Sequence, residues 1–337
     1  MPMLDVFKSD AFSVVSLTDS IIKAPHKPGR LGVLGLFREK GIPTTTVVIE
    51  EKDGRLSLIA ATPRGGAPSS IGSSKRTARS FVVPHLERES VVMADEVQGM
   101  RAFGSEDATE SVQALIAERL QDLRAMHEVT LEYHRVGAIK GQILDADGTT
   151  VLFNLFTEFG VAQQTHDIAL SNAATNVRNE AVAIQRKIET ELGGEPVTGY
   201  RAFCGDTFFD DLVKHAKVEG ALQYQESAML RTDLRSGFEF GGITWENYRG
   251  KVLKPDGSAS VDFFPAAEAY VVPIGPRIFS TSFAPADFME TVNTMGLPVY
   301  AKIALDEQLA RWAKVHTQSN PMNLCLRPRA VVKVTKS

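Results

Sequence analysis

Asp206, Asp210 and Asp211, in GDTFFDDL, are the closest grouping of carboxylates that reads as a metal-holding set. Oxygen ligands of this kind suit a hard divalent cation that activates water for hydrolysis. A simpler reading makes Asp206 the cap of a helix that starts there, its carboxylate accepting from the free amides of the first turn. His127 and His134 stand seven residues apart, on one side of any helix that carries them. Two imidazoles are too few for zinc. His127-Glu128 is followed by Val129, Thr130 and Leu131 rather than completing H-E-x-x-H, so the two read as a surface pair. His26, His85, His166, His215 and His316 show no ligand spacing. Cys204 has no His or Asn partner placed by spacing and reads as a small buried thiol. Neither G-x-S-x-G nor G-x-G-x-x-G occurs. No cofactor is expected.

A second grouping is ATPRGGAPSSIGSSKRTARS, residues 61–80, with the cations Arg64, Lys75, Arg76 and Arg79 and no acid. A phosphate-cradling loop needs G-x-x-x-x-G-K-[ST], so that backbone amides wrap the phosphate and the lysine reaches it. Gly66 and Gly72 are one residue too far apart, Ser73 occupies the lysine position, and strand-like sequence follows instead of a helix. A flexible linker fits the composition. Strand-like sequence on both sides favours the tip of a long hairpin, because a long loop inside a compact domain is usually functional or disordered.

The elements that would carry these groups are mixed. Residues 44–50 and 56–61 read as a hairpin around Asp53-Gly54, and 81–84 and 89–97 resume strand character. From Asp107, apolar residues recur at three and four positions: Val112, Leu115, Ile116, Leu120, Leu123 and Met126. Asp107 and Glu110 form a capping pair, and nothing breaks the pattern before Gly137. Such a helix of roughly 30 residues is about 45 Å long, well beyond the usual length. A hairpin follows at 142–153, a helix at 176–192 stopped by Gly193-Gly194, a strand at 197–204 and a helix at 206–217. Strands at 238–248 and 269–273 flank the KPDGS turn. Residues 317–321 read as a proline-ended loop and 324–334 as a strand.

The 337 residues suffice for about two domains. A hydrophobic content of 43% and a charged content of 23% are those of a globular chain. The net charge of −4 lacks the basic excess of a dedicated nucleic-acid binder. The two cysteines, Cys204 and Cys325, make no disulfide framework and fit a reducing compartment. The first residues lack a secretory pattern, and no run approaches ~20 apolar residues, so no membrane span is expected.

In order, the chain offers a loose N-terminal arm, a hairpin with a basic tip, one very long helix, a second hairpin, a mixed α/β region and a terminal strand. This order resembles the major capsid proteins of tailed bacteriophages, most closely the lambda-like major capsid protein E family. The likeness is carried by IKGQILDADGTTVLFNLFTEFG (139–160), RSGFEFGGITWENYRG (235–250) and WAKVHTQSNPMNLCLRPRAVVKV (312–334), the last being the most specific. It spans nearly the whole chain.

The resemblance implies an α+β capsid fold. Residues 1–43 are then an N-terminal arm reaching outward, 44–100 the extended loop with its strands, and 101–160 a peripheral domain with the spine helix. Residues 161–299 form the axial domain, and 300–337 return to the periphery. It implies a shell protein without catalytic residues that assembles with itself into hexamers and pentamers of an icosahedral head. The implied partners are scaffold and decoration proteins, a portal, and packaged DNA on the inner face held without sequence specificity. The implied location is the virion, after synthesis in the host cytoplasm. Residues 61–80 become the extended-loop tip, whose Arg64, Lys75, Arg76 and Arg79 touch a neighbouring subunit, with Glu106, Asp107 and Glu110 as acidic counterparts. Two alternatives stand beside it: a nanocompartment shell of the same fold, and a metal-dependent hydrolase using Asp206, Asp210 and Asp211.

Overall fold

The computed structural model describes residues 13–23, 29–52, 76–97, 108–223, 236–306, 308 and 311–337. Its axis is a single helix, Ala108–Lys140, of 33 residues. Leu115, Ile116, Leu120 and Leu123 are buried as the spacing predicts, whereas Met126 is half exposed. The apolar stripe turns away before it, and Arg124 and His127 take the inward positions. Gly137 does not end the helix. A Cβ there would lie 3.0 Å from Gln142 O and Ile143 Cα, so the glycine lets the returning strand lie against the last turn. The helix stops at Gly141, which has φ +81. Asp107, the first member of the capping pair expected at its start, lies outside the described residues.

Two three-stranded sheets flank the helix. One is antiparallel, in the order Tyr300–Leu305, Trp312–Ser319, Leu86–Met93. The other has Phe279–Phe283 in its centre, antiparallel to Pro321–Cys325 and parallel to Arg38–Gly41. Residues 317–321, expected as a loop, are therefore the end of one strand and the start of the next, with only Asn320 between them. Proline is tolerated there because it begins its strand.

The largest sheet has six strands, in the order Gln164–Asp167, Val332–Thr335, Glu268–Ile274, Gly199–Cys204, Ile243–Asn247, Phe238–Phe240. Its central strands are apolar runs because both faces are covered. The helix Val177–Leu192 buries Val177, Ala181, Ile184, Ile188 and Leu192 at helical spacing, capped by Asn176 and ended by Gly193 in the left-handed conformation. The last two strands turn on Gly241-Gly242, both at positive φ, as a two-residue hairpin demands. The final strand, Val332–Thr335, belongs to this sheet, between Gln164–Asp167 and Glu268–Ile274.

The described parts of the N-terminal segment pack on their own chain. The helix Val14–Lys23 buries Leu17 and Ile21 against the long helix and the strand Tyr300–Leu305, where Thr18 Oγ1 accepts from Ala301 N at 3.2 Å. Leu31 and Phe37 are buried in the larger core. No described helix is long and apolar enough to cross a membrane.

Candidate intersubunit surface

The strand Thr46–Lys52 pairs with Arg76–Val82, in the register Thr46↔Val82 through Lys52↔Arg76. The turn and second strand of the expected hairpin around Asp53-Gly54 lie outside the described residues. Among the described residues the first strand's partner is the segment that follows the basic stretch, and residues 76–80, expected in the tip, are strand. This two-stranded sheet joins no other sheet among the described residues.

Alternation gives the hairpin two unlike faces. Val47, Ile49 and Phe81 face inward, with Phe81 set 6.2 Å from the Phe153 ring and 6.0 Å from the Phe159 ring, centroid to centroid. On the opposite face Val48 and Val82 are 60% and 66% exposed. An isolated two-stranded hairpin is marginal in water. Here Phe81 fastens one face to Phe153 and Phe159, in the strand and short helix that follow the long helix, and the other face is left open.

Arg64 and Lys75 lie outside the described residues, as do Glu106 and Asp107. Arg76 opens the second strand, opposite Lys52. Arg79 points back into its own chain: its Nη2 donates to Phe159 O at 3.4 Å, and its guanidinium carbon sits 5.4 Å from the centre of the Phe159 ring. Of the four cations predicted as one cluster, Arg79 thus packs within its own chain. Phe81, Phe153 and Phe159 were not singled out from the sequence. Their signal was the alternation within TARSFV, which separates Phe81 from its neighbours.

The arm's two roots run through Pro43 and Pro84. At the second root, His85 Nδ1 lies 3.1 Å from Asn320 Oδ1 and 2.9 Å from Gln318 Nε2. At the first, Ile42 N donates to Phe283 O at 2.8 Å and Gly296 N to Ile42 O at 3.0 Å.

A buried ionic knot ties the N-terminal segment to the rest of the chain. Glu246 Oε1 accepts from Arg30 Nε at 2.6 Å, and its Oε2 from Arg201 Nη1 at 2.6 Å. Beside it, Glu132 Oε1 accepts from Leu31 N and from the Tyr248 hydroxyl, both at 2.7 Å. Burial, reinforced by the Glu132 carboxylate, raises the Tyr248 phenol well above its ordinary range.

His127 and His134, expected at the surface, are 6% and 1% exposed. The helix face they share is the one covered by the sheets. His127 Nε2 lies 3.0 Å from Thr317 Oγ1. Burial lowers both imidazoles to about 4, helped at His127 by the neighbouring His316 and Arg88 and opposed at His134 by Asp145.

The aspartates do not converge. Gly205, not Asp206, caps the helix Asp206–Lys214, because any side chain at 205 would collide with Pro265 O, 2.1 Å from a Cβ built there. Asp206 is the first helical residue and pairs with Arg249 at 3.3 Å, Asp211 pairs with Lys336, and Asp210 is exposed. Among the described residues no three His, Cys, Asp or Glu side chains group to hold a metal. Cys204 and Cys325 are buried free thiols. Burial raises both, Cys325 to about 12.

A long spine, a detached hairpin beside it and a sheet-and-helix body form an architecture seen elsewhere. The sequence profile of phage major capsid protein E matches residues 13–336. The chain belongs to the phage major capsid protein E family. It is 28% identical over 340 residues to the major capsid protein of Pseudomonas phage KPP10, covering 96% of each chain. It is 24% identical over 366 residues to that of Salmonella phage Felix O1, covering 98% of each. In fold it is similar to a subunit of the bacteriophage PhiM1 mature capsid, with a TM-score of 0.51 and 14% identity over 89% of this chain and 85% of that one. The capsid protein is thus an α+β chain of the tailed-phage capsid fold, and the detached hairpin is its candidate contact surface.

Proposed function

We propose that copies of this chain assemble into hexamers and pentamers that close into an icosahedral head around DNA. The observation that carries the reading is the detached hairpin, docked by Phe81 on one face and open at Val48 and Val82 on the other. A shell of identical subunits needs heterologous contacts that close into rings, and a projecting arm provides area without a large flat face. Arg64, Lys75 and Arg76 meet a neighbouring subunit, while Arg79 steadies the hairpin's base. The long helix with the sheet Tyr300–Leu305, Trp312–Ser319, Leu86–Met93 forms the peripheral domain. The six-stranded sheet, including Val332–Thr335, forms the axial domain.

In this reading the protein catalyses nothing, is made in the host cytoplasm and resides in the virion. Scaffold and decoration proteins, a portal and DNA are its further partners. The divergent partners of Asp206 and Asp211 count against a metal-dependent hydrolase. Expression of the full chain, followed by size-exclusion chromatography and negative-stain microscopy, tests the proposal. Megadalton particles or ring-shaped capsomers are expected, and a small oligomer with metal-dependent turnover would refute it.

A further inference from the structure

The edge strand Gln164–Asp167 turns its two inward side chains, Gln164 and His166, onto a polar strip of the helix Val177–Leu192. Glu180 and Lys187 stand seven residues apart on that helix, two turns along one side. His166 lies between them. Its Nε2 is 2.8 Å from Glu180 Oε2, and its Nδ1 is 3.1 Å from Lys187 Nζ. Lys187 Nζ also donates to Thr165 O at 2.9 Å. The imidazole is 12% exposed, whereas Lys187 is only partly covered, so a small solute can approach the amine.

The donor count fixes the protons. A lysine ammonium has donors only, so Nδ1 is the accepting nitrogen and the ring proton sits on Nε2, where it donates to the Glu180 carboxylate. The ring is neutral, and its lone pair is directed at the amine. A nucleophile within hydrogen-bond reach of a base, with that base oriented by a third group, is the arrangement that activates a weak nucleophile. Other lysines of the chain are placed differently. Lys251, Lys302, Lys314, Lys333 and Lys336 each face a carboxylate. A carboxylate holds the ammonium form and takes no proton near neutral pH, whereas an imidazole titrates close to neutrality.

We propose that Lys187 is an acylation site, with His166 as its base and Glu180 as the positioning residue, and that it takes a small acyl group from an acyl phosphate. His166 Nδ1 accepts one ammonium proton and frees the lone pair of the amine. The lone pair attacks the acyl carbon, a C–N bond forms, and the bond from that carbon to the phosphate oxygen breaks. Phosphate leaves with the second amine proton, and His166 returns the first to water. The negative charge of the donor suits a cationic acceptor. The product amide is uncharged and keeps one N–H, enough for Thr165 O or His166 Nδ1 but not for both.

The test incubates the full-length protein with limiting acetyl phosphate and follows acetylation site by site by peptide mass spectrometry. Lys40 and Lys217, both exposed, are the references. Lys187 is expected to acetylate at least about tenfold faster than either, below the roughly 10²–10⁴-fold of a fully built general base. In urea the three lysines are expected to react alike. His166→Gln should bring Lys187 down to the reference rate and leave Lys40 and Lys217 unchanged. Glu180→Leu should lose the advantage too, whereas Glu180→Gln, which keeps an accepting oxygen for Nε2–H, retains part of it. A native Lys187 no faster than the references would overturn the proposal, and so would a His166→Gln protein in which Lys187 stays fast. If His166→Gln does not fold, the native-to-urea comparison in the wild type and the contrast between the two Glu180 variants decide.

Discussion

At the residue scale, the groups that matter most are buried charges with paired functions. Glu246 neutralises Arg30 and Arg201 and thereby pins the N-terminal segment to the six-stranded sheet. Glu246→Ala leaves two guanidinium groups without their carboxylate, and such a loss costs about 3–5 kcal/mol. The low end is expected because Arg30 is 40% exposed and can reach water. Urea unfolding of the unassembled subunit measures it. His127 and His134 predict an acid sensitivity. Their folded values, about 4, lie below the ordinary 6.5, so the unfolded chain binds protons first as the pH falls. Stability is then lost between roughly pH 6.5 and 4, by at most about 3 kcal/mol per histidine, with no further loss from these groups below that window. The urea midpoint should drop between pH 7 and 5, and His127→Gln should flatten part of the drop. An unchanged slope would show that His127 is not neutral in the fold.

At the element scale, the long helix carries the argument. Leu120→Pro removes an intrahelical hydrogen bond, for about 3 kcal/mol or more, and empties a buried leucine position, for roughly 2–5 kcal/mol. The sum is comparable with a whole domain's ~5–15 kcal/mol, so no sedimenting particles are expected. Gly137→Ala tests the helix's other end. Alanine is the better helix former by about 1 kcal/mol, yet its Cβ would press on Gln142 O and Ile143 Cα, both at 3.0 Å. Backbone cannot yield as a side chain does, so net destabilisation of about 1–3 kcal/mol is expected. A gain in thermal midpoint would mean that the returning strand is free to shift.

At the scale of the whole molecule, the hairpin is the candidate contact surface, with Val48 and Val82 exposed on its outer face. Deleting residues 65–74 spares both described strands, including Arg76 and Arg79. It should leave a soluble subunit with wild-type unfolding but no regular shells. Gradient sedimentation with negative-stain microscopy distinguishes the outcomes, and wild-type-like particles would remove the tip from the contact.

Much of this was legible without coordinates. Local spacing determined the long helix, the helix Val177–Leu192 and the hairpin at 142–153, because periodicity and turn chemistry act over a few residues, whereas 238–248, read as one strand, is two strands turning on Gly241-Gly242. The order of those elements carried the family. The partner of Thr46–Lys52 was not legible. Two strands of suitable character followed it, and the pairing with Arg76–Val82 goes with the packing of Phe81 on Phe153 and Phe159, far along the chain. Nor was the burial of His127 and His134. A histidine on a helix does not say what covers it, and only the tertiary fold brought Thr317 and the flanking sheets against that face. The same holds for Asp206: its sequence position suits a cap, but the helix begins one residue earlier than that reading needs, with the cap position at Gly205, where the close approach of Pro265 leaves no room for a side chain. Long-range packing, which short spacing cannot encode, settled each of these.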